Sequence, residues 1–194
     1  MSEQRLMTAI VADNNDPEKQ GRVLLTLSSL PGGTEVWAKM VTPMAGPGRG
    51  VCLLPEVGDE VLAAFIQGDL SSAYVLGSVW GAKKKPPADV GKNRNGLKMI
   101  MTRSGNVLEF NDVDGDEHIS LKDKNDNEIR INTADDSIVI ISISKMQICT
   151  DGEMVLSGDK IRIAADRIEI KADASLTLDG GGTAELKAGT VNIN

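Results

Sequence analysis

The chain of 194 residues is 41% hydrophobic, 25% charged and only 3% aromatic, the balance of a soluble globular protein with room for one large domain or two small ones. No stretch approaches the roughly 20 apolar residues that span a bilayer, and the opening MSEQRLMTAIVADNNDPEKQ lacks the apolar core of an export signal. The net charge of −7 lies wholly in the second half: residues 1–96 carry ten basic and ten acidic side chains, residues 97–194 eleven and eighteen. An acidic surface of that kind repels phosphate, which speaks against nucleic-acid binding there.

In chain order, RLMTAIVA has high β propensity and NNDPEKQG is a turn cluster. RVLLTLSSL follows as a strand, with Leu25 and Leu27 in step and Thr26 opposite. EVWAKMVTP, DEVLAAFIQG and SAYVLGSVW supply three more. The Leu-Ala-Ala centre of EVLAAFI is also compatible with a helix, but only nine residues separate Gly58 from Gly68, which favours a strand. About five strands punctuated by Gly and Pro predict a small OB-type barrel over 1–82. GPGRG, 46–50, reads as a barrel turn rather than an anion cradle, since no Lys-Ser/Thr follows it. Cys52 and Cys149 are read as two buried, reduced thiols. The stretch 83–96 contains KKKPP; Pro86 and Pro87 each lack an N–H for a ladder, so it is expected to be a linker.

Residues 97–194 change texture, with short alternating segments throughout. From Ile138 onward apolar residues come in pairs two apart: Met146/Ile148, Met154/Leu156, Ile161/Ile163, Ile168/Ile170, Leu176/Leu178, then Leu186 and Val191/Ile193. Successive pairs from Met146 to Leu176 start eight, seven, seven and eight residues apart. Residues two apart share a strand face, and a repeat of short strands and turns implies a β-solenoid. Two inward residues per strand cannot fill a wide single-chain coil, and a six-residue left-handed helix misses the spacing. Three chains wound about one axis would bring the pairs together in a thin core. The expectation is an all-β obligate homotrimer with a needle over 97–194, its core formed by Met154, Leu156, Ile161, Ile163, Ile168, Ile170, Leu176 and Leu178.

The N-terminal half resembles the OB domain of contractile-tail spikes, the phage baseplate assembly protein V and VgrG-type spike family. The matching residues are Asp16-Pro17, Gly21-Arg22-Val23, Trp37-Ala38, Ala45-Gly46, Gly50, LPEVGDEV at 54–61, Phe65, Gly68-Asp69 and VLGS at 75–78. The stretch from MIMTRSGNVLEF to ISLKDKNDNEIRIN looks like that family's transition into its needle, and the paired tail is similar to its intertwined triple-stranded β-helix. The resemblance implies a trimeric, non-enzymatic central spike of the baseplate that caps the tail tube and helps to pierce the target cell envelope. It implies assembly in the bacterial cytoplasm and later release with the particle. Because the chain begins close to the first strand, the hub domain that precedes the barrel in VgrG proteins is expected to be a separate partner.

Some spikes of this kind end in a His-x-His iron clamp, but this sequence has one histidine, His118. Its end is instead expected to dock a separate PAAR-type tip protein through Val191, Ile193 and Asn194. NDVDGDEH, 111–118, departs from the EF-hand pattern and reads as an acidic hairpin turn rather than a calcium loop. No cofactor is expected, and no nucleophile–base pair is visible. Nucleic-acid binding by the barrel is disfavoured by its zero net charge and few aromatics. A receptor-binding adhesin and a type VI secretion spike component are the alternative functions.

Overall fold

The computed structural model describes residues 5–87 and 95–192. The chain divides into two compact units, Met1–Lys145 and Met146–Asn194. In the first, strands β1 (Arg5–Asp13), β2 (Arg22–Leu27), β3 (Thr34–Met40), β6 (Glu60–Phe65) and β7 (Ala73–Ser78) form a closed barrel in the order β1-β2-β3-β7-β6. Every pairing is antiparallel except β3 with β7.

Alternation builds this barrel. In β2, Val23, Leu25 and Leu27 point inward and are fully buried, while Arg22, Leu24 and Thr26 are half-buried. In β6, Val61, Ala63 and Phe65 do the same. Ala9, Val11, Ala38, Ala73 and Val75 complete the core, with small alanines beside the bulky Phe65. The Leu-Ala-Ala stretch is therefore strand, and its chain turns into a short 3-10 segment only at Ile66–Gly68.

Three turns explain the most distinctive barrel residues. Between β1 and β2, the buried Asp16 carboxylate accepts backbone N–H groups from Glu18, Gln20 and Arg22. It also takes the Arg22 guanidinium at 2.7 Å, and Arg22 lies 5.4 Å from the Trp37 ring centre. The Arg22 hydrogen bonds hold the Asp16 carboxyl well below the usual carboxylate range, against burial, which pushes the other way. Ahead of β6, Gly58 at φ +87° donates its N–H to Val11 O, and the Val11 N–H returns to Asp59 O. Between β3 and β6, strands β4 (Ala45–Gly46) and β5 (Arg49–Gly50) make a small hairpin, so GPGRG is a turn. A Cβ on Gly50 would stand 2.6 Å from Met44 O.

A second sheet follows at β8 (Leu97–Met101), β9 (Val107–Asn111), β10 (His118–Lys122), β11 (Glu128–Asn132) and β12 (Ser137–Ile141), an antiparallel meander in sequence order. Within 111–118, residues 112–117 connect β9 to β10 as a hairpin, as the acidic turn residues predict. At the β10–β11 turn, Asp123 accepts the Asn125 and Asn127 N–H groups and the Asn127 amide. The sequence reading treats 97–194 as one needle, yet 97–141 is a sheet whose strands pair with one another inside a single chain.

Residues 146–192 differ from everything before them. The described residues there form no strand ladder, and all are exposed. Their only backbone–backbone hydrogen bonds run from Gly182 and Thr183 N–H to Gly180 O. Bends or turns fall at 151–152, 158–159, 166, 173–174, 181–182 and 189, with extended chain between them.

Two expectations need amendment. Cys52 and Cys149 are both exposed, not buried: Cys52 follows the β4–β5 hairpin in an open loop and Cys149 lies in the unladdered tail. The linker expected at 83–96 is described only in part, since 88–94 lie outside the described residues; Lys84 Nζ bonds Gly58 O and ties the start of the stretch to the barrel.

Candidate functional site

The features that depart most from an ordinary monomer are two apolar surfaces, one on each unit. In the β8–β12 sheet the register aligns Ile100, Leu108, Leu121, Ile129 and Ile140 in one cross-strand row. Lys98, Phe110, Ile119, Ile131 and Ile138 form the adjacent row on the same face. Apart from the half-buried Leu108, the large apolar residues of this face are exposed, from 41% at Ile119 to 69% at Ile138. Its single charge, Lys98, pairs with Asp112.

The opposite face is mixed, with a buried polar centre. Asn111, His118 and Ser120 are buried there. His118 Nδ1 lies 2.7 Å from Asp116 O, and Nε2 lies 3.2 Å from Glu109 Oε1. Arg130 bonds Asp116 Oδ1 at 2.8 Å, and the Asn111 amide donates to Asp116 Oδ2 at 2.9 Å. His118 thus starts β10 within a hydrogen-bonded cluster and faces away from the apolar rows. Among the described residues no three His, Cys, Asp or Glu side chains converge as a metal site. The sheet thus has one nearly all-apolar, open face and one mixed face, whose centre is a buried polar cluster and whose edge residues Met101, Val139 and Ile141 are exposed.

In the second unit, Met154, Leu156, Ile161, Ile163, Ile168, Ile170, Leu176 and Leu178 are all exposed. Each pair lies on an extended segment between two bends. At the tail's end Val191 is exposed, while Ile193 and Asn194 lie outside the described residues. Extended backbone without a partner leaves its N–H and C=O groups to water, and the apolar pairs gain nothing from folding in that state.

The barrel offers two smaller concavities. Met40, Val41, Met44, Val51 and Leu54 help to line a cavity of about 380 Å3 beneath the β4–β5 hairpin. Arg22, Trp37, Lys39 and Tyr74 surround a second of about 100 Å3. Arg22 there is committed to Asp16 and Trp37, and Lys39 Nζ sits 5.8 Å from the Tyr74 ring centre. These cations cover the aromatic faces on which a base would stack.

A closed five-stranded barrel with one parallel closure and a buried apolar core defines the class, a small OB-type domain. Residues 7–80 match the family model of the type VI secretion system/phage-baseplate injector OB domain, and the kinship with baseplate and VgrG-type spike proteins rests on this region. The type VI secretion system spike protein VgrG1a of Pseudomonas aeruginosa is 27% identical over 79 residues, 40% of this chain and 12% of that protein. VgrG1b of the same organism is 27% identical over 79 residues, 40% of this chain and 11% of its own length. VgrG4b is 32% identical over 95 residues, covering 46% of this chain and 12% of that relative. The match therefore spans about an eighth of the length of these relatives. A structural spike role fits these similarities.

Sequence reasoning located the paired tail but missed the apolar face of the β8–β12 sheet. The signal was present as the same two-residue beat at Leu108/Phe110, Ile119/Leu121 and Ile129/Ile131, spread by longer turns.

Proposed function

We propose that the chain is the central spike of a contractile phage tail or tail-like injection particle. Three copies associate through their apolar pairs, and residues 146–192 wind into an intertwined triple-stranded β-helix that serves as the needle. The carrying observation is the tail itself: exposed apolar pairs on extended, unladdered chain with bends every seven or eight residues. Partner strands from two more chains would supply both the missing hydrogen bonds and a dry core. The injector-type barrel at 7–80 supports the same reading from the other end of the chain.

In this role the protein is mechanical and not an enzyme. A hub meets the barrel end, and a PAAR-type tip protein closes the C-terminal end near Val191. The spike assembles in the bacterial cytoplasm, leaves with the particle and touches the target envelope transiently. Light scattering should give three times the 20.6 kDa chain mass; a monomer at micromolar concentration would sink the proposal. Deleting 189–194 should abolish tip binding and leave the trimer intact. Cell binding by the isolated trimer at low concentration would favour the adhesin reading instead.

A further inference from the structure

We infer that the barrel carries a binding site for a single carboxylated sugar unit, in the concavity lined by Arg22, Trp37, Lys39, Ser71, Ser72 and Tyr74. The site lies within one barrel, so it stands apart from the spike reading and goes beyond it.

Strand register gathers these residues. On the outer wall Arg22 of β2 is paired with Lys39 of β3, and Lys39 with Tyr74 of β7, so three adjacent strands present them side by side. Trp37 lies two residues before Lys39 and shares its face of β3. Ser71 and Ser72 come from the connection between β6 and β7, the fourth and fifth strands of the barrel. In OB folds that bind oligosaccharides, the face of strands two and three together with this loop forms the binding surface. That is a likeness of fold alone, and the chemistry of the side chains decides what binds.

The two cations differ in what they are free to do. Arg22 pairs with Asp16 at 2.7 Å and with Glu18 at 3.2 Å, and it stays over the Trp37 ring. Lys39 has no carboxylate partner among the described residues, and its Nζ rests 5.8 Å from the centre of the Tyr74 ring. A ligand carboxylate draws it off that ring, because a charge-assisted hydrogen bond is stronger than an exposed cation–π contact. The uncovered Tyr74 face then receives the C–H face of a pyranose ring.

The serines require the other half of the ligand. Ser71 Oγ donates to Asp69 Oδ2 at 2.5 Å, and Ser72 Oγ donates to the same oxygen at 3.4 Å. With their protons committed, both hydroxyl oxygens are left as acceptors. Lys39 Nζ and the Trp37 indole N–H are donors without a protein acceptor among the described residues. The concavity therefore offers donors for a carboxylate and acceptors for ring hydroxyls, and a sugar acid brings both. A phosphodiester brings acceptors only, and its strand is held by several free cations where this site has Lys39 alone. The volume of about 100 Å3 is well below the roughly 300 Å3 at which sites for larger ligands begin, so it takes one ring of a chain.

The test uses the full chain and two sugars that differ only in the carboxylate, methyl β-D-glucuronide and methyl β-D-glucoside. Binding is read by saturation-transfer NMR and by the Trp37 indole N–H shift, assigned with Trp80→Phe. The glucuronide should bind with a dissociation constant on the order of 1 mM, as a ligand of about 14 heavy atoms does, and about tenfold more tightly than the glucoside. Lys39→Gln should bring the glucuronide to the level of the glucoside, while Lys160→Gln, in the exposed tail, should change neither. A tri-uronide and a ulosonate glycoside then separate two sources of carboxylated sugar, capsule-type and lipopolysaccharide-core glycans, and a preference for either supports the site. Equal affinity for the two monosaccharides, an unmoved Trp37 signal, or an unchanged preference in Lys39→Gln would overturn it. So would displacement of the glucuronide by oligothymidylate at micromolar concentration, which would mark the surface as one for nucleic acid. None of these results bears on whether the chain is a trimeric spike.

Discussion

Replacing Ile163 with aspartate gives two sharply different outcomes according to whether the tail has partners. In a lone chain Ile163 is 68% exposed, and a surface substitution away from any special feature changes stability by about 0.5 kcal/mol or less. In a threefold needle the same change removes three isoleucines from the core. At about 1.5–3 kcal/mol for each buried side chain, the loss is about 4.5–9 kcal/mol per trimer. Three carboxylates brought together without cations add a further desolvation penalty. Arg162, one residue out of phase, is the control, since Arg162→Asp points to solvent. The assay is resistance of the trimer to cold SDS, read by electrophoresis with and without heating, together with limited proteolysis. The unmodified protein and Arg162→Asp should run as trimers until heated, because interleaved strands separate slowly. Ile163→Asp should dissociate in cold detergent and be cut within 146–192. If the two variants resist detergent and protease equally, the inward assignment of the 161/163 pair is wrong.

Other consequences concern the barrel. Phe65→Ala should lower barrel stability by about 3–5 kcal/mol, measured by denaturant unfolding on the fluorescence of Trp37 and Trp80, because Phe65 is fully buried beside small alanines. Asp16→Asn should destabilise the barrel near neutral pH, with the difference shrinking as pH falls below about 4. The sign follows from the direction of the shift: the folded carboxyl is depressed by Arg22, so its contribution is present above the unfolded value and lost on acidification. A difference independent of pH between 7 and 2.5 would show that Asp16 acts through packing alone. Gly50→Ala should disturb the β4–β5 hairpin, seen as amide shift changes confined to residues near 41–54, since the new Cβ meets Met44 O.

Much of the fold was legible in one dimension because a strand writes its burial with a period of two. Val23, Leu25 and Leu27, or Val61, Ala63 and Phe65, announce an inward face before any coordinate is known. Gly58 and Gly68 likewise bound a stretch too short for a helix to be the better choice. The tail pairs belong to the same category, since Ile161 and Ile163 share a face in any extended chain. Pairing was another matter. Nothing in the sequence says that β3 closes the barrel by running parallel to β7, or that Asp16 gathers three backbone N–H groups and Arg22 into one buried turn. The line between self-paired sheet and unladdered tail was equally hidden, although both carry the same beat. The connections at 112–117, 123–127 and 133–136 return each strand beside its predecessor. After Ile141 the described chain bends without returning, and apart from the turn at Gly180 the backbone groups of 146–192 have no backbone partner within their own chain. A strand's face is set by its own residues, but its neighbour is chosen by the length and geometry of what joins them.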